Sequence, residues 1–159
     1  MTKGELLNLY RALDNLGNVT GARMSYGVAK NLSILKPDVD ALQKAIDMTD
    51  DFKKFEEERV ELVKKHAILD EKGKPMIDTT RNEYVISEEN KPAFEKNLAK
   101  LRKENSAVIE AREKQVKEFG ELLKTEIEPN LHKIQQTDLP ESITPAQTFA
   151  ILPMIFDLE

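Results

Sequence analysis

The sequence predicts a mainly α-helical protein. We expect an elongated antiparallel helical hairpin or bundle with a long helix in its C-terminal half, a small β-hairpin between helices and a short C-terminal helix. Apolar residues make up 40% of the 159 residues and charged residues 33%, a mixture typical of helices with one narrow apolar stripe each. Apolar positions recur at spacings of three and four through most of the chain. One cluster of turn-forming residues near position 73 interrupts that period.

The length corresponds to about one domain on the usual scale of ~150 residues per domain. We therefore expect a single domain over residues 1–159. Residues 1–128 are predicted to form the bundle, and residues 129–159 a strand or loop followed by a short apolar helix.

The first helix is predicted over residues 2–16. Thr2 is a suitable N-cap, and Gly17 with Asn18 is a stop signal. Five residues at helical spacing form its apolar stripe: Leu6, Leu9, Tyr10, Leu13 and Leu16.

A second helical pattern begins after Gly21 and continues to Ile46. Its stripe consists of Met24, Val28, Leu32, Leu35, Val39, Leu42 and Ile46. Pro37 lies inside this stripe, and a proline removes one intrahelical hydrogen bond and clashes with the preceding turn. The sequence predicts a kink or break at Lys36 and leaves open whether the segment is one kinked helix or two helices in line.

The third helix is predicted over residues 51–69, with His66 beside its stripe. Residues 70–75 are typical of a turn. Two short β-prone runs follow, at residues 76–78 and 84–86, and they predict a β-hairpin within residues 74–87. An isolated hairpin is marginally stable, so it is expected to lean on a helix end or on another chain.

The longest helix is predicted over residues 90–128, which would make it roughly 55 Å long. Its seam alternates steps of four and three residues, as in a coiled coil. Three polar residues, Asn105, Arg112 and Gln115, lie in this seam, and Arg59 lies on the facing stripe. Two interpretations stay open: this polar seam contacts another chain or a polar groove, or its long side chains reach solvent.

A helical hairpin centred near Arg81 predicts the pairing of the two halves. It brings together Leu62 with Leu98, Phe52 with Val108, and Leu42 with Phe119.

The tail differs in character from the rest of the chain. Residues 131–134 alternate and predict one short strand. Thr144, Pro145 and Gln147 form a helix start, with an N-cap, a proline at the first helical position and a glutamine at the third. Residues 149–156 are the most apolar run, which docks either on the bundle or on a partner.

Composition and motifs exclude several chemistries. The chain has no cysteine, which excludes disulfides, thiolate metal sites and a cysteine nucleophile. Residues 17–23 lack the lysine and the spacing of a phosphate-binding loop. His66 and Asp70 are only a two-ligand pair, and His132 has no companion at ligand spacing, so no metal, cofactor or catalytic residue is predicted. Neither a signal peptide nor a membrane span is recognised, and a cytoplasmic protein is expected.

The charge pattern gives little support for nucleic-acid binding. The net charge is −5, and acidic and basic residues are balanced between Glu89 and Glu128. The one local basic cluster comprises Lys100, Arg102 and Lys103.

Three stretches together resemble small proteins of unknown function encoded by tailed bacteriophages and prophages. They are Val19-Thr20-Gly21-Ala22-Arg23; Leu69-Asp70-Glu71-Lys72-Gly73-Lys74-Pro75; and Leu131-His132-Lys133-Ile134 followed by Leu139-Pro140-Glu141-Ser142-Ile143-Thr144. The resemblance implies a phage origin and a small helical accessory protein, without any catalytic residue to carry over.

The leading hypothesis is a non-enzymatic protein–protein interaction module that binds and occludes a host protein, as an inhibitor of a host defence or takeover target. A virion-assembly or scaffolding component is the alternative, and a nucleic-acid accessory protein is a second alternative. The heptad seam also predicts a homodimer. The expected contact residues are Met76, Ile77, Tyr84, Val85, Phe149, Ile151, Leu152, Met154, Ile155 and Phe156.

Overall fold

A computed structural model describes residues 1–16 and 21–156. The described chain is mainly helical, with an antiparallel strand pair between helices and a short C-terminal helix, and this confirms the predicted fold class. The proposed stop signal at Gly17 and Asn18, and Val19 and Thr20 of the first resemblance stretch, lie outside the described residues.

Six helices and four two-residue strands are present in the described ranges. The helices are α1 (Lys3–Asp14), α2 (Ala22–Ile46), α3 (Asp50–His66), α4 (Lys91–Glu104), α5 (Ser106–Lys124) and α6 (Pro145–Ile151). The strands are β1 (Ile77–Asp78), β2 (Glu83–Tyr84), β3 (Ile134–Gln135) and β4 (Ile155–Phe156). Strands β1 and β2 pair antiparallel, which confirms the hairpin, and β3 pairs parallel with β4. Single 3-10 turns span Gln136–Asp138 and Leu152–Met154.

The backbone forms two compact units. Unit 1 comprises residues 1–47 and 117–159, and unit 2 comprises residues 48–116. The single domain over residues 1–159 stays a prediction. No described helix is both long enough and apolar enough to cross a membrane.

Unit 1 contains a hydrophobic core between α1, α2, β3 and the C-terminal segment. Its buried apolar side chains are Leu6, Leu9, Leu13, Leu16, Met24, Leu35, Ile134, Ile151 and Met154. Thr2 caps α1 as predicted, since its hydroxyl accepts from the Glu5 amide while the Glu5 carboxylate accepts from the Thr2 amide. The hydrogen bond from the Thr2 amide is the main reason that the pKa of the Glu5 carboxyl is lowered.

Helix α2 runs without a break through Pro37. The proline ring is exposed, and the buried residues on either side of it, Leu35 and Leu42, keep the same stripe. Of the two possibilities that the sequence left open, the single helix is therefore the one formed. At the end of this helix Leu42 lines a hollow of about 320 Å³ together with Phe119, which agrees with the predicted pairing of those two residues.

Unit 2 consists of α3, the β1–β2 hairpin, α4 and the first part of α5. The end of α3 meets the beginning of α4, because the His66 ring packs on Phe94 at 5.9 Å between ring centres. The start of α3 meets α5, where Arg112 lies over the Phe52 ring at 5.6 Å. These contacts establish the antiparallel pairing that the sequence predicted. Only Phe55 and Ala67 are buried in unit 2.

The long helix differs from its prediction at Asn105. Helix α4 ends at Glu104 and α5 begins at Ser106, so one residue interrupts the expected continuous helix. The Asn105 side-chain amide donates to the Leu101 carbonyl at 3.0 Å, and the backbone leaves helical geometry at φ −108° and ψ 19°. Helix α5 also ends at Lys124, because residues 125–127 pair with the N-terminal residues instead: Lys3 N donates to Thr125 O at 2.9 Å.

Two further boundaries depart from the expectation. Helix α3 ends at His66 rather than near residue 69, because the amide of Ile68 donates to the Val85 carbonyl at 2.8 Å and draws the chain into the hairpin. The strand predicted over residues 131–134 is confined to Ile134–Gln135. The helix start at Thr144 is confirmed, with a reciprocal pair of hydrogen bonds between Thr144 and Gln147.

Candidate functional site

A small closed arrangement of backbone forms the end of unit 2, and we call it the tip. Three segments, residues 67–69, 75–78 and 83–86, meet there. Ile68 N donates to Val85 O at 2.8 Å, Val85 N donates to Met76 O at 3.0 Å, and Met76 N donates to Ile68 O at 2.8 Å. Each of the three residues therefore donates once and accepts once. A ring of this kind fixes the backbone although each strand is only two residues long.

An aspartate stabilises the first turn of the tip. Asp70 Oδ1 accepts from the amides of Lys72 and Lys74, each at 2.8 Å. Gly73 supplies the positive φ of 74° that this turn needs.

A second aspartate stabilises the hairpin turn. Asp78 Oδ1 accepts from the Thr80 amide at 2.9 Å and from the Thr80 hydroxyl at 2.6 Å. These bonds favour the charged form and lower the pKa of Asp78. Asn82 takes the left-handed position at φ 53°, which asparagine tolerates better than most residues.

Four apolar side chains project from the tip, and we call them the tip surface. They are exposed by 37% at Ile68, 57% at Leu69, 42% at Met76 and 50% at Ile77. The sequence prediction included Met76 and Ile77 but missed Ile68 and Leu69, because spacing assigned Leu69 to the stripe of α3. The signal that could have revealed these two residues is their position as an apolar pair directly before the turn at residues 70–75.

The other two hairpin residues that were expected to bind a partner are only half-buried. Tyr84 lines a hollow of about 470 Å³ with Val63 and Phe94, so part of its ring faces the helices of its own unit. Val85 belongs to the backbone ring and is also half-buried. The hairpin therefore leans on helix ends, which is one of the two possibilities that the sequence allowed.

The C-terminal run divides between core and surface. Ile151 and Met154 are fully buried in the unit 1 core, so these two expected contact residues are not available to a partner in the folded chain. Ile155 is half-buried against the same core. Three others form what we call the C-terminal surface, exposed by 76% at Phe149, 48% at Leu152 and 56% at Phe156.

The polar seam finds partners inside unit 2. Arg59 donates three hydrogen bonds to the Glu56 carboxylate, between 2.8 and 3.1 Å, and these raise the pKa of Arg59. Arg112 donates to Gln115 Oε1 at 2.7 Å while it lies over Phe52. Asn105 bonds to its own helix. All four seam residues are half-buried and have partners within unit 2, and a contact of the seam with another chain stays a prediction.

Of the residues weighed for metal binding and for nucleic acid, His66, Asp70 and Lys100 have partners within unit 2, whereas the rest of the basic cluster is exposed. The side-chain nitrogen of Asn97 lies 3.3 Å from His66 Nε2, whereas Asp70 serves the turn. Lys100 of the basic cluster forms a loose ion pair with Glu104 at 3.8 Å. Arg102 and Lys103 are exposed on the last turn of α4.

The exposed members of the predicted contact set therefore lie on the tip surface and on the C-terminal surface. Comparison with known proteins adds no assignment: no family model, curated protein or solved structure matches this chain.

Proposed function

We propose that this chain is a non-enzymatic protein-binding module that acts by occluding a protein of a bacterial host, with the tip surface as its principal contact. One observation carries the proposal: four exposed apolar side chains stand on a backbone locked by a ring of hydrogen bonds. Single exposed apolar residues are ordinary, but a cluster on one small element is typical of a binding surface.

Rigidity makes the tip a better contact than its small size suggests. A segment that is ordered before it binds loses less conformational entropy on binding, and more of the interaction energy remains as affinity. The Asp70 and Asp78 turns hold both loops of the tip from within, at distances of 2.6 to 2.9 Å. The exposed leucine, isoleucines and methionine fit an apolar cleft on a folded protein.

The phage character of the module rests on the three sequence stretches described above. A small protein of a phage that carries no catalytic constellation is expected to act by binding. Assembly or scaffolding of virions is the alternative use of the same surfaces. Self-association and a cytoplasmic location also stay predictions.

Affinity capture with matched surface variants tests the proposal. The tagged chain is exposed to lysates of infected and uninfected bacteria, beside a tip variant carrying Leu69→Ser and Ile77→Ser. Met48→Ser with Val116→Ser is the control, since both residues belong to unit 2 and are exposed by 45% and 49%. Circular dichroism of each variant verifies that the helices are retained.

A host protein captured by the wild-type chain and by the control, but lost with the tip variant, supports the proposal. Loss only with Phe149→Ser and Leu152→Ser moves the contact to the C-terminal surface. Capture of virion proteins from infected cells alone favours assembly. A partner that all variants retain equally contradicts binding through either surface.

A further inference from the structure

Unit 2 presents a second surface, a groove between α3 and α4, that is separate from the tip surface. It has a volume of about 510 Å³ and is lined by Glu58, Glu61, Leu62, Lys65, Asn97, Lys100, Leu101 and Glu104. Leu62 and Leu101 are half-buried at its floor, and the polar residues along its sides are exposed. The groove is thus an apolar strip between two charged edges, the pattern of helices that pack against further helices.

Unit 2 buries very little of its apolar stripe. Phe55 and Ala67 are its only buried residues, and α4 has none. Helix α3, the hairpin, and α4 followed by the first part of α5 form a thin layer. Helical stability in proteins comes chiefly from packing of the apolar face. A second layer laid over Leu62 and Leu101 would complete a four-helix arrangement.

Charge is distributed unevenly along the groove. Glu58 precedes Leu62 by four residues and Lys65 follows it by three, which places them about 5 Å to either side along the helix axis. Because α3 and α4 are antiparallel, Glu104 lies at the same end as Glu58. One end of the groove is therefore acidic, and the other end carries Lys65.

Glu58 and Lys65 also lack ion-pair partners within the part of the chain that the structure describes. By contrast, Glu61 pairs with Lys64 at 2.8 Å, and Lys100 with Glu104 at 3.8 Å. A second copy related by a two-fold axis through the middle of the groove would bring Lys65 of each copy to Glu58 of the other. A two-fold contact uses the same patch twice and so requires this self-complementarity.

We infer that the α3–α4 groove is a self-association surface, on which a second copy of this chain packs antiparallel through Leu62 and Leu101 with two crossed Glu58–Lys65 ion pairs. The surface lies apart from the tip surface residues, so it does not depend on the proposed host-binding function. The polar seam is not needed for the contact, because its residues already have partners within unit 2.

Charge reversal tests both the surface and its direction. Sedimentation equilibrium of the full chain between about 1 and 200 µM is expected to reveal a dimer with a micromolar dissociation constant. Glu58→Lys and Lys65→Glu each replace two attractive contacts with two repulsive ones, so each variant should dimerise about tenfold more weakly. Glu57→Lys, which makes the same charge change at an exposed neighbouring position, should leave the dimer unchanged.

Mixing the two variants provides the decisive measurement. In a heterodimer of Glu58→Lys with Lys65→Glu, both crossed pairs are attractive again, so the mixture should associate about as tightly as the wild-type chain. A monomer at every concentration overturns the inference, as does a dimer that neither reversal weakens. A mixture no tighter than the single variants overturns the antiparallel arrangement. Capture of a foreign helical protein through Leu62 by a chain that stays monomeric overturns the assignment of a second copy.

Discussion

The buried amide of Asn31 provides the sharpest test of how unit 1 is held together. This side chain is fully buried. Its Nδ2 donates to His132 O at 2.9 Å, and its Oδ1 accepts from His132 N at 2.8 Å. The same amide nitrogen lies 3.5 Å from Met154 Sδ. The Asn31 side-chain amide therefore pairs with the backbone of His132 as a peptide group of a neighbouring strand would. These bonds hold the segment that leads into β3 against α2.

Asn31→Leu keeps the approximate volume of the side chain but removes both bonds to His132. A buried polar group left without a partner costs about 1–3 kcal/mol. Two such groups are affected, and His132 is half-buried, so water can satisfy part of the loss. We expect the free energy of unfolding to fall by about 2–4 kcal/mol. This is more than one unsatisfied group costs on average and less than two would cost in full.

Urea unfolding followed by circular dichroism at the helix band measures this change. With an m-value of about 2 kcal/mol per molar urea, the midpoint should drop by about 1–2 M. Hydrogen exchange of the His132 amide adds a local readout, because loss of Oδ1 exposes that proton. Asn8→Leu is the matched control on the exposed side of α1 and should change stability by less than about 0.5 kcal/mol. Equal effects of the two substitutions would refute the role given to Asn31.

Two further predictions concern close packing and acid. Gly27→Ala would place a Cβ 2.5 Å from Ile134 Cγ2, so we expect the free energy of unfolding, measured with urea, to fall by about 1–3 kcal/mol. Gly120→Ala, whose Cβ meets nothing within 4 Å, should instead stabilise by about 0.5–1 kcal/mol, and the opposite order would contradict this packing. Folding lowers the pKa of the Asp78 carboxyl below its ordinary value of 3.8. The carboxylate therefore stabilises the turn fully at any pH above its pKa in the unfolded chain, and this stabilisation is lost as the pH falls through its pKa in the folded chain. An amide shift of Thr80 with its midpoint at or above 3.8 would argue against that bond.

Local signals made the helices and their starts predictable. Thr2 and Thr144 each accept the amide hydrogen bond that their type and position predict for an N-cap. Spacing also predicted the pairing of the two halves of the chain, since antiparallel helices bring together residues at equal distances from the middle of the segment that joins them, here residues 67–90. The contacts of His66 with Phe94 and of Phe52 with Arg112 fall within about one helical turn of that expectation.

Hydrogen bonds and packing that compete with helix formation explain the helix boundaries and the burial that the sequence did not predict. The stripe of α3 continues in sequence to Leu69, yet the Ile68 amide donates at 2.8 Å to the Val85 carbonyl, which lies 17 residues further along the chain, instead of to a carbonyl of its own helix. At Asn105 a side-chain amide competes for a helix carbonyl, and periodicity does not record such competition. The burial of Ile151 beside an exposed Phe149 depends on which side of a seven-residue helix faces the core.

The uneven burial of the two units predicts that folding and the proposed binding depend on different residues. Among the described residues, the large side chains that are fully buried, Asn31 included, belong to unit 1. In unit 2, Leu62, Leu98 and Leu101 are only half-buried, and the tip surface is exposed. Substitutions of buried unit 1 residues should therefore lower stability and affect binding only through the fraction of folded chain. Serine substitutions at the tip surface remove apolar contact area that the folded chain leaves in water, so they should reduce partner affinity at nearly constant stability. If tip variants instead unfold the chain as strongly as Asn31→Leu, the tip residues serve the core, and the binding surface must lie elsewhere.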